Sequence, residues 1–239
     1  MPDSIRVYSA GPLTLVALLA IIGLIIIVVP LLFLGFAGKA ITGLLGLSWL
    51  SATALVILIL LCSLVDIPVW KIRRTTIRIP HNGQVPDAFT PTQNGGLWET
   101  TLAVNLGGAI IPLVLSVYLL DRVSTLVSGN TFYIKVLAAI LIVAAMSYVT
   151  TRAMVGVGIR APLFIPGLTA LLCGFLLTGG TGLSAGGIAF VSGTVGTLLG
   201  ADIAHLFHTG DLEVPKISIG GAGTFGAIFV ACLLSALIA

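Results

Sequence analysis

Charged residues are scarce in this sequence. Only 8% of its 239 residues are Asp, Glu, Lys or Arg, and the mean hydropathy is +1.20. A soluble domain carries about 25% charged residues, which it needs to cover a water-facing surface. The composition therefore excludes an ordinary soluble protein and predicts one polytopic membrane domain over residues 1–239.

Cysteine and basic residues are also few. The three cysteines, Cys62, Cys173 and Cys232, lie far apart inside apolar segments, so neither a disulfide framework nor a zinc spacing is visible. We expect buried, inert thiols, no bound metal and no cofactor. The net charge is only +3 and there is no basic arm, so nucleic acid is not an expected partner.

Three hydrolase signatures are missing as well. The chain has no HExxH zinc motif, no Gly-x-Ser-x-Gly nucleophile turn and no Gly-x-Gly-Asp element. The nearest match to the last of these reads Leu-Gly-Ala-Asp and ends at Asp202. No catalytic residue can be assigned from motifs alone.

Long apolar runs fill most of the chain. Glycine is frequent within them, with 29 residues in all, and glycine allows membrane helices to approach closely. The runs predict an all-α bundle of about seven membrane-spanning helices. The predicted spans are about 12–37, 43–68, 101–120, 132–151, 162–179, 183–206 and 219–238.

Lysine and arginine set the expected orientation. With seven spans, most of the eleven basic residues fall on the side that holds the N-terminus. Cytoplasmic loops carry the excess of Lys and Arg, so this pattern predicts the N-terminus inside and the C-terminus outside, in the cell (plasma) membrane.

The one sizeable polar loop, residues 71–99, is cytoplasmic on this topology. Polar and apolar residues alternate from Arg73 to Ile79, and Asn82-Gly83 is a strong turn signal. A short β-hairpin is predicted here. Its basic residues are expected to contact lipid head groups of the bilayer.

Asp202 is the most informative residue, because it ends an apolar, glycine-rich run over 182–207. An ionisable side chain at the bilayer centre costs about 2.5–3.5 kcal/mol on insertion scales, and such residues are commonly functional. Small residues at Ala189, Gly193, Gly196 and Gly200 form one packing stripe, and Asp202 points away from it. The sixth span is therefore central or broken near Gly200. Such stripes also serve contacts between chains, so a homo-oligomer is possible.

Asp202, His205 and His208 recur at intervals of three residues. Carboxylate and imidazole groups are possible metal ligands, but histidines in a last helical turn also interact favourably with the negative end of the helix dipole. The helix-end interpretation is preferred, and no metal is predicted.

Other polar residues are expected near the same side of the membrane. Asn105 shares a face with Gly108 and Pro112 in the third span, where its amide either ties helices together or lines a site. Asp66 ends the second span. Arg160 lies among glycines and prolines before the fifth span, and matching depth alone suggests a pair with Asp202.

Four segments resemble a family of prokaryotic multi-pass membrane proteins that is catalogued as a domain of unknown function. These segments are DIPVWKI (66–72), AVNLGGAIIP (103–112), VSGTVGTLLGAD (191–202) and SIGGAGTFGAIF (218–229). The resemblance implies a helical membrane protein and does not imply an activity.

The chain departs from the family pattern at two positions. Gly226 stands where the family typically has Asp after Gly-Thr-Phe, and His205 stands where it usually has Asn. If the family's chemistry rests on two aspartates in the last two spans, this chain has kept Asp202 and lost the other.

Transport of a small solute or ion is the preferred function, because glycine-rich helices, an intramembrane Asp and a helix break suit a transporter. One alternative is an intramembrane hydrolase, aspartyl or metal-dependent, that uses Asp202 with His205 or Asp66. A non-catalytic membrane scaffold is the other. The expected substrate or ion pathway comprises Asp202, Asn105, Asp66, His205 and Arg160.

Overall fold

The structure, a computed structural model, describes residues 12–76, 96–126, 131–154, 158–206 and 216–239. It is mostly helical. The helices are α1 (Pro12–Leu45), α2 (Trp49–Cys62), α3 (Leu106–Leu126), α4 (Thr131–Thr150), α5 (Ile165–Thr178), α6 (Leu183–Leu206) and α7 (Phe225–Leu237).

Four of these helices contain a stretch that is long and apolar enough to cross a bilayer: α3, α4, α6 and residues Ile27–Leu45 of α1. The chain is thus an integral membrane protein. The helices α2, α5 and α7 have 14, 14 and 13 residues. At 1.5 Å per residue they reach about 20 Å, which is less than the bilayer core of about 30 Å. The number of complete spans therefore stays a prediction.

Strands make the all-α prediction too simple. A three-stranded sheet contains β1 (Asp66–Thr76), β2 (Gly96–Asn105) and β5 (Lys216–Ile219), and a small hairpin contains β3 (Arg152–Met154) and β4 (Gly158–Arg160). The predicted spans 43–68 and 101–120 each run into a strand. Periodicity does not distinguish a short apolar strand from the end of a buried helix, which explains the error.

The sheet has the order β1-β2-β5, with β1 antiparallel and β5 parallel to β2. Pro68 lies at an irregularity of β1, an edge strand, where a missing backbone N–H is tolerated. The predicted strand over Arg73–Ile79 is confirmed as far as Thr76. The predicted turn at Asn82-Gly83 lies outside the described residues.

Helix α6 is the central helix, and 78% of its 18-residue apolar stretch is buried inside the protein. A Cβ atom at Gly193 would lie 2.8 Å from the Ala231 side chain of α7, and one at Gly196 would lie 2.7 Å from Val143 of α4. The small-residue stripe therefore allows α6 to pack closely on two neighbours, as predicted.

The regular geometry of α6 is interrupted by two π-helical stretches, Ser192–Gly196 and Leu198–Ile203. In the second stretch the Ala204 N–H donates to the Leu199 carbonyl, five residues back. Such widened turns occur frequently at functional sites. The sequence allowed either a central helix or a distortion near Gly200, and α6 has both.

Side chains of α3 hold the end of α1. Gly46, with φ of 69°, ends α1 in the left-handed conformation that glycine adopts readily. The Arg122 guanidinium donates to the Leu44 carbonyl at 3.1 Å, and the Tyr118 hydroxyl donates to the Leu45 carbonyl at 3.0 Å. Two carbonyls that lack helical partners are thereby satisfied.

Candidate functional site

Two carboxylates bind β5 and the segment that joins it to α7. Gly220 begins this segment with φ of 68°, and the Thr224 and Phe225 N–H groups both donate to the Gly221 carbonyl. The tight turn points the Gly220 N–H and the Thr224 hydroxyl toward α6.

Asp202 of α6 is 1% exposed. Its Oδ2 accepts hydrogen bonds from the Gly220 N–H at 2.7 Å and from the Thr224 hydroxyl at 3.1 Å. Both donors are neutral. Within the described residues, no Lys, Arg or His forms a salt bridge with this carboxylate.

Asn105 is the second buried polar centre, and it joins three segments. Its Oδ1 accepts from the Gly108 N–H at 2.7 Å and so caps the start of α3. Its Nδ2 donates to the Ser63 carbonyl at 2.6 Å, just after α2, and to Asp66 Oδ1 at 2.9 Å. The amide thereby fixes the end of α2 and the start of β1 against α3.

Asp66 lies beside Asn105 at the start of β1. The Ser218 hydroxyl donates to its Oδ1, and Lys216 forms a salt bridge with its Oδ2, each at 2.5 Å. Partial burial alone would raise the pKa of this carboxyl. The hydrogen bonds from Lys216, Ser218 and Asn105, together with the Lys216 charge, outweigh that effect and hold the pKa below its ordinary value.

The two carboxylate sites are linked through a glycine contact. A Cβ atom at Gly220 would lie 2.7 Å from the Gly108 carbonyl carbon, so the two backbones meet without intervening side chains. We call the set Asp66, Asn105, Gly108, Gly220, Asp202 and Thr224 the glycine junction. It brings together residues from all four sequence segments that carry the family resemblance.

The resemblance was tested by comparison with known proteins. The model of DUF1614, a protein family of unknown function, matches residues 60–238. The chain belongs to DUF1614. No curated protein and no solved structure matches the chain.

The DUF1614 match spans every residue of the glycine junction. Gly226, where the resemblance implies an Asp, is half-buried at the start of α7. A Cβ atom there would lie 2.8 Å from the end of the Leu163 side chain, which can move aside.

Two predicted site residues lie apart from Asp202. The His205 ring packs on Tyr148 of α4, with centroids 5.0 Å apart, and its Nδ1 bonds the Gly200 carbonyl at 3.1 Å. Arg160 is exposed in β4, opposite Arg152, and does not form the suggested pair with Asp202. His208 lies outside the described residues. In this DUF1614 member, the residues of the predicted pathway therefore do not form one cluster. Asp66 bonds Asn105, Asp202 bonds Gly220 and Thr224, and His205 and Arg160 lie elsewhere.

An aspartyl dyad requires two carboxylates that share one proton. In the structure, Asp66 accepts from Lys216 and Ser218 of β5, whereas Asp202 accepts from Gly220 and Thr224 of the segment after β5. The described residues also contain no group of three or more His, Cys, Asp or Glu side chains placed to hold a metal ion.

The donors that surround the two carboxylates were not predicted from the sequence. Lys216, Ser218, Gly220 and Thr224 were visible in and next to the SIGGAGTF segment, but nothing in their spacing identified Asp66 and Asp202 as their acceptors. The pairing depends on the parallel β2–β5 contact, in which Ala103 lies opposite Ser218.

Proposed function

We propose that this protein transports a small cation, a proton or Na⁺, and that Asp202 is the group that binds the positive charge. The observation that carries the proposal is the neutral environment of Asp202. Its carboxylate is buried in a candidate membrane span and accepts from one backbone N–H and one hydroxyl.

A carboxylate at membrane depth is energetically costly. Intramembrane carboxylates usually face the interior of a bundle and are paired, and they mark ion pathways and proton relays. Two neutral donors orient Asp202 and lower this cost, but they supply no compensating charge. A bound proton or metal cation supplies that charge.

The backbone around Asp202 supports the same function. Transporters commonly coordinate ions where a membrane helix departs from regular geometry, because carbonyl groups are then released from the helical ladder. Asp202 lies in the π-helical stretch Leu198–Ile203. The close Gly108–Gly220 contact adds a second irregular backbone segment next to it.

A scaffold is the second candidate, and the closed environment of Asp202 favours it. At 1% exposure with two protein donors, the carboxylate also serves as a structural tie between α6 and the start of α7. An intramembrane hydrolase has less support, because Asp66 and Asp202 have separate partners.

The distribution of Lys and Arg supports an orientation with the N-terminus inside and the C-terminus outside, and location in the plasma membrane is part of the same proposal. Glycine-rich helices also pack between chains, so a homo-oligomer is part of the proposal. Topology mapping tests the proposed orientation, and mass measurement in detergent tests the proposed oligomer.

Flux measurements test the proposed function. The purified full chain is reconstituted into liposomes that contain a pH-sensitive dye, and proton entry is driven by a K⁺ gradient with valinomycin; ²²Na⁺ uptake is measured in parallel. We expect flux of one of these ions above that of protein-free liposomes. Asp121→Asn, which alters an exposed carboxylate of α3, is expected to retain it. If neither ion moves faster than in protein-free liposomes, the transport proposal is wrong.

A further inference from the structure

The helices α4 and α6 run side by side in the same direction. Val143 lies against Gly196, Ala144 against Gly200 and Tyr148 against His205. The residue numbers of the contacting pairs rise along both helices, so the helices are parallel. Their carboxyl-terminal ends, at Thr150 and Leu206, consequently lie toward the same side of the molecule.

Two buried hydroxyl groups lie at this end of α4. Ser147 is 0% exposed and Thr151, directly after the helix, is 6% exposed. Neither hydroxyl oxygen has a hydrogen-bond partner among the described residues. Ser147 follows Val143 by four residues and Thr151 follows Ser147 by four, which places both on the side of α4 that faces α6.

An unpartnered buried hydroxyl costs about 1–3 kcal/mol, so two at one location call for an explanation. The Thr151 N–H already donates to the Ser147 carbonyl at 3.0 Å, which fixes the backbone between the two hydroxyls. Both oxygens have lone pairs that can accept a proton donor or coordinate a cation.

The two helix ends at this location favour positive charge, and the two arginines of the hairpin that follows Thr151 (Arg152 and Arg160) are exposed to solvent. A helix carries about half a negative elementary charge at its carboxyl-terminal end, and two parallel helices bring two such ends together. On α6, the π-helical stretch ends here: Ala204 donates to Leu199, and the Gly200 carbonyl accepts from His205. The end of α6 thus departs from the regular hydrogen-bond ladder.

We infer that the adjoining ends of α4 and α6 form a binding site for a monovalent cation, with the Ser147 and Thr151 hydroxyls as ligands. Neutral hydroxyl and carbonyl oxygens suit a hard monovalent ion such as Na⁺, whereas Ca²⁺ and Mg²⁺ sites use carboxylates. Asp202 points to the opposite side of α6, toward Gly220, and does not contribute. The inference therefore does not depend on the transport proposal.

The test uses the full chain in detergent. Its melting temperature is measured in NaCl and in choline chloride at equal ionic strength. Because ligand that binds only the folded state stabilises it, we expect Na⁺ to raise the melting temperature by about 2–4 °C more than choline.

Ser147→Ala and Thr151→Val remove one ligand each, and we expect both to abolish the Na⁺-specific shift. In choline chloride their melting temperatures should equal or exceed that of the wild type, because an unpartnered buried hydroxyl has been removed. Thr151→Ser keeps the hydroxyl and should keep the shift.

Thr150→Val is the matched control, since this neighbouring hydroxyl is exposed and donates to the Met146 carbonyl at 2.6 Å. It should retain the Na⁺-specific shift. Equal shifts in NaCl and choline chloride for the wild type, or an undiminished Na⁺ shift in Ser147→Ala and Thr151→Val, would overturn the inference.

Discussion

At the scale of single residues, Asn105 has the most extensive role in the glycine junction. One buried amide bonds the end of α2, the start of β1 and the first turn of α3. A hydrogen bond contributes about 1 kcal/mol net, but a buried partner left without one costs more. Asn105 is therefore expected to contribute strongly to the stability of the junction.

Asn105→Ala tests that role. We expect the free energy of unfolding to fall by about 2–4 kcal/mol, because one buried and two partly buried polar groups lose their partner at once. Chemical unfolding in detergent measures the change. Thr125→Ala is the control, since that exposed hydroxyl bonds only within α3, to the Arg122 carbonyl. Equal losses in the two variants would contradict the assigned role.

Asp66 predicts a pH dependence of stability. Its pKa in the folded state lies below the ordinary value of about 4. The ionised carboxylate therefore stabilises the fold at neutral pH, and this contribution is lost as the pH falls below about 4 and through the folded pKa.

Melting temperatures between pH 7 and pH 3 measure this contribution. We expect Asp66→Asn to lower the melting temperature at pH 7 and to have a smaller effect at pH 3. Because Lys216 is half exposed, salt should screen part of the difference. A difference that stays constant across this pH range would be inconsistent with the salt bridge as its source.

At the scale of elements, hydropathy located the helices correctly but misplaced the ends of two of them. All seven predicted segments contain a helix, because apolar runs of this length must satisfy their backbone groups internally in a bilayer. The sequence did not reveal that residues 66–68 and 101–105 belong to strands. Their partners lie far away in sequence, and strand pairing with such partners is not encoded in local periodicity.

Close contacts between elements depend on particular glycines. Gly108 and Gly220 meet backbone to backbone, whereas a Cβ atom at Gly43 of α1 would have no neighbour within 4 Å. Both Gly-Gly pairs, Gly107-Gly108 and Gly220-Gly221, are visible in the sequence, but the contact between them is not. That contact follows from the parallel pairing of β2 with β5.

Glycine-to-alanine substitutions test these contacts. Gly108→Ala and Gly220→Ala should each reduce the yield of folded protein strongly, because the new methyl group overlaps backbone, and at Gly220 a positive φ adds about 1–2 kcal/mol of strain. Gly43→Ala should be neutral or stabilise α1 by up to about 1 kcal/mol. Gel filtration and thermal melting compare the three. Loss of folded protein in Gly43→Ala alone would contradict the packing.

At the scale of the whole molecule, the composition predicted an integral membrane protein and the motifs predicted the family. The position of Asp202, away from the small-residue stripe of α6, also followed from helical geometry. The hydrogen-bond partners of Asp202 could not be predicted in the same way, because Gly220 and Thr224 approach it only when α7 packs beside α6. The suggested partner Arg160 shared only an expected depth, which is too weak a constraint to define a contact.

Asp202 has a structural role between α6 and α7 and a proposed role in cation binding, and the two roles are separable. Asn is nearly isosteric with Asp and keeps a carbonyl oxygen that can accept from Gly220 and Thr224. It cannot carry a negative charge. Asp202→Asn is therefore expected to preserve the hydrogen bonds between α6 and the start of α7 while it removes the negative charge that we propose binds a cation.

The most direct test measures stability and ion flux together on Asp202→Asn. The account predicts a free energy of unfolding within about 1 kcal/mol of the wild type, because the neutral hydrogen bonds are kept. It also predicts that the ion flux of the reconstituted protein falls to that of protein-free liposomes. Wild-type flux in a well-folded Asp202→Asn variant would contradict the account, and so would flux that declines only in step with the folded fraction.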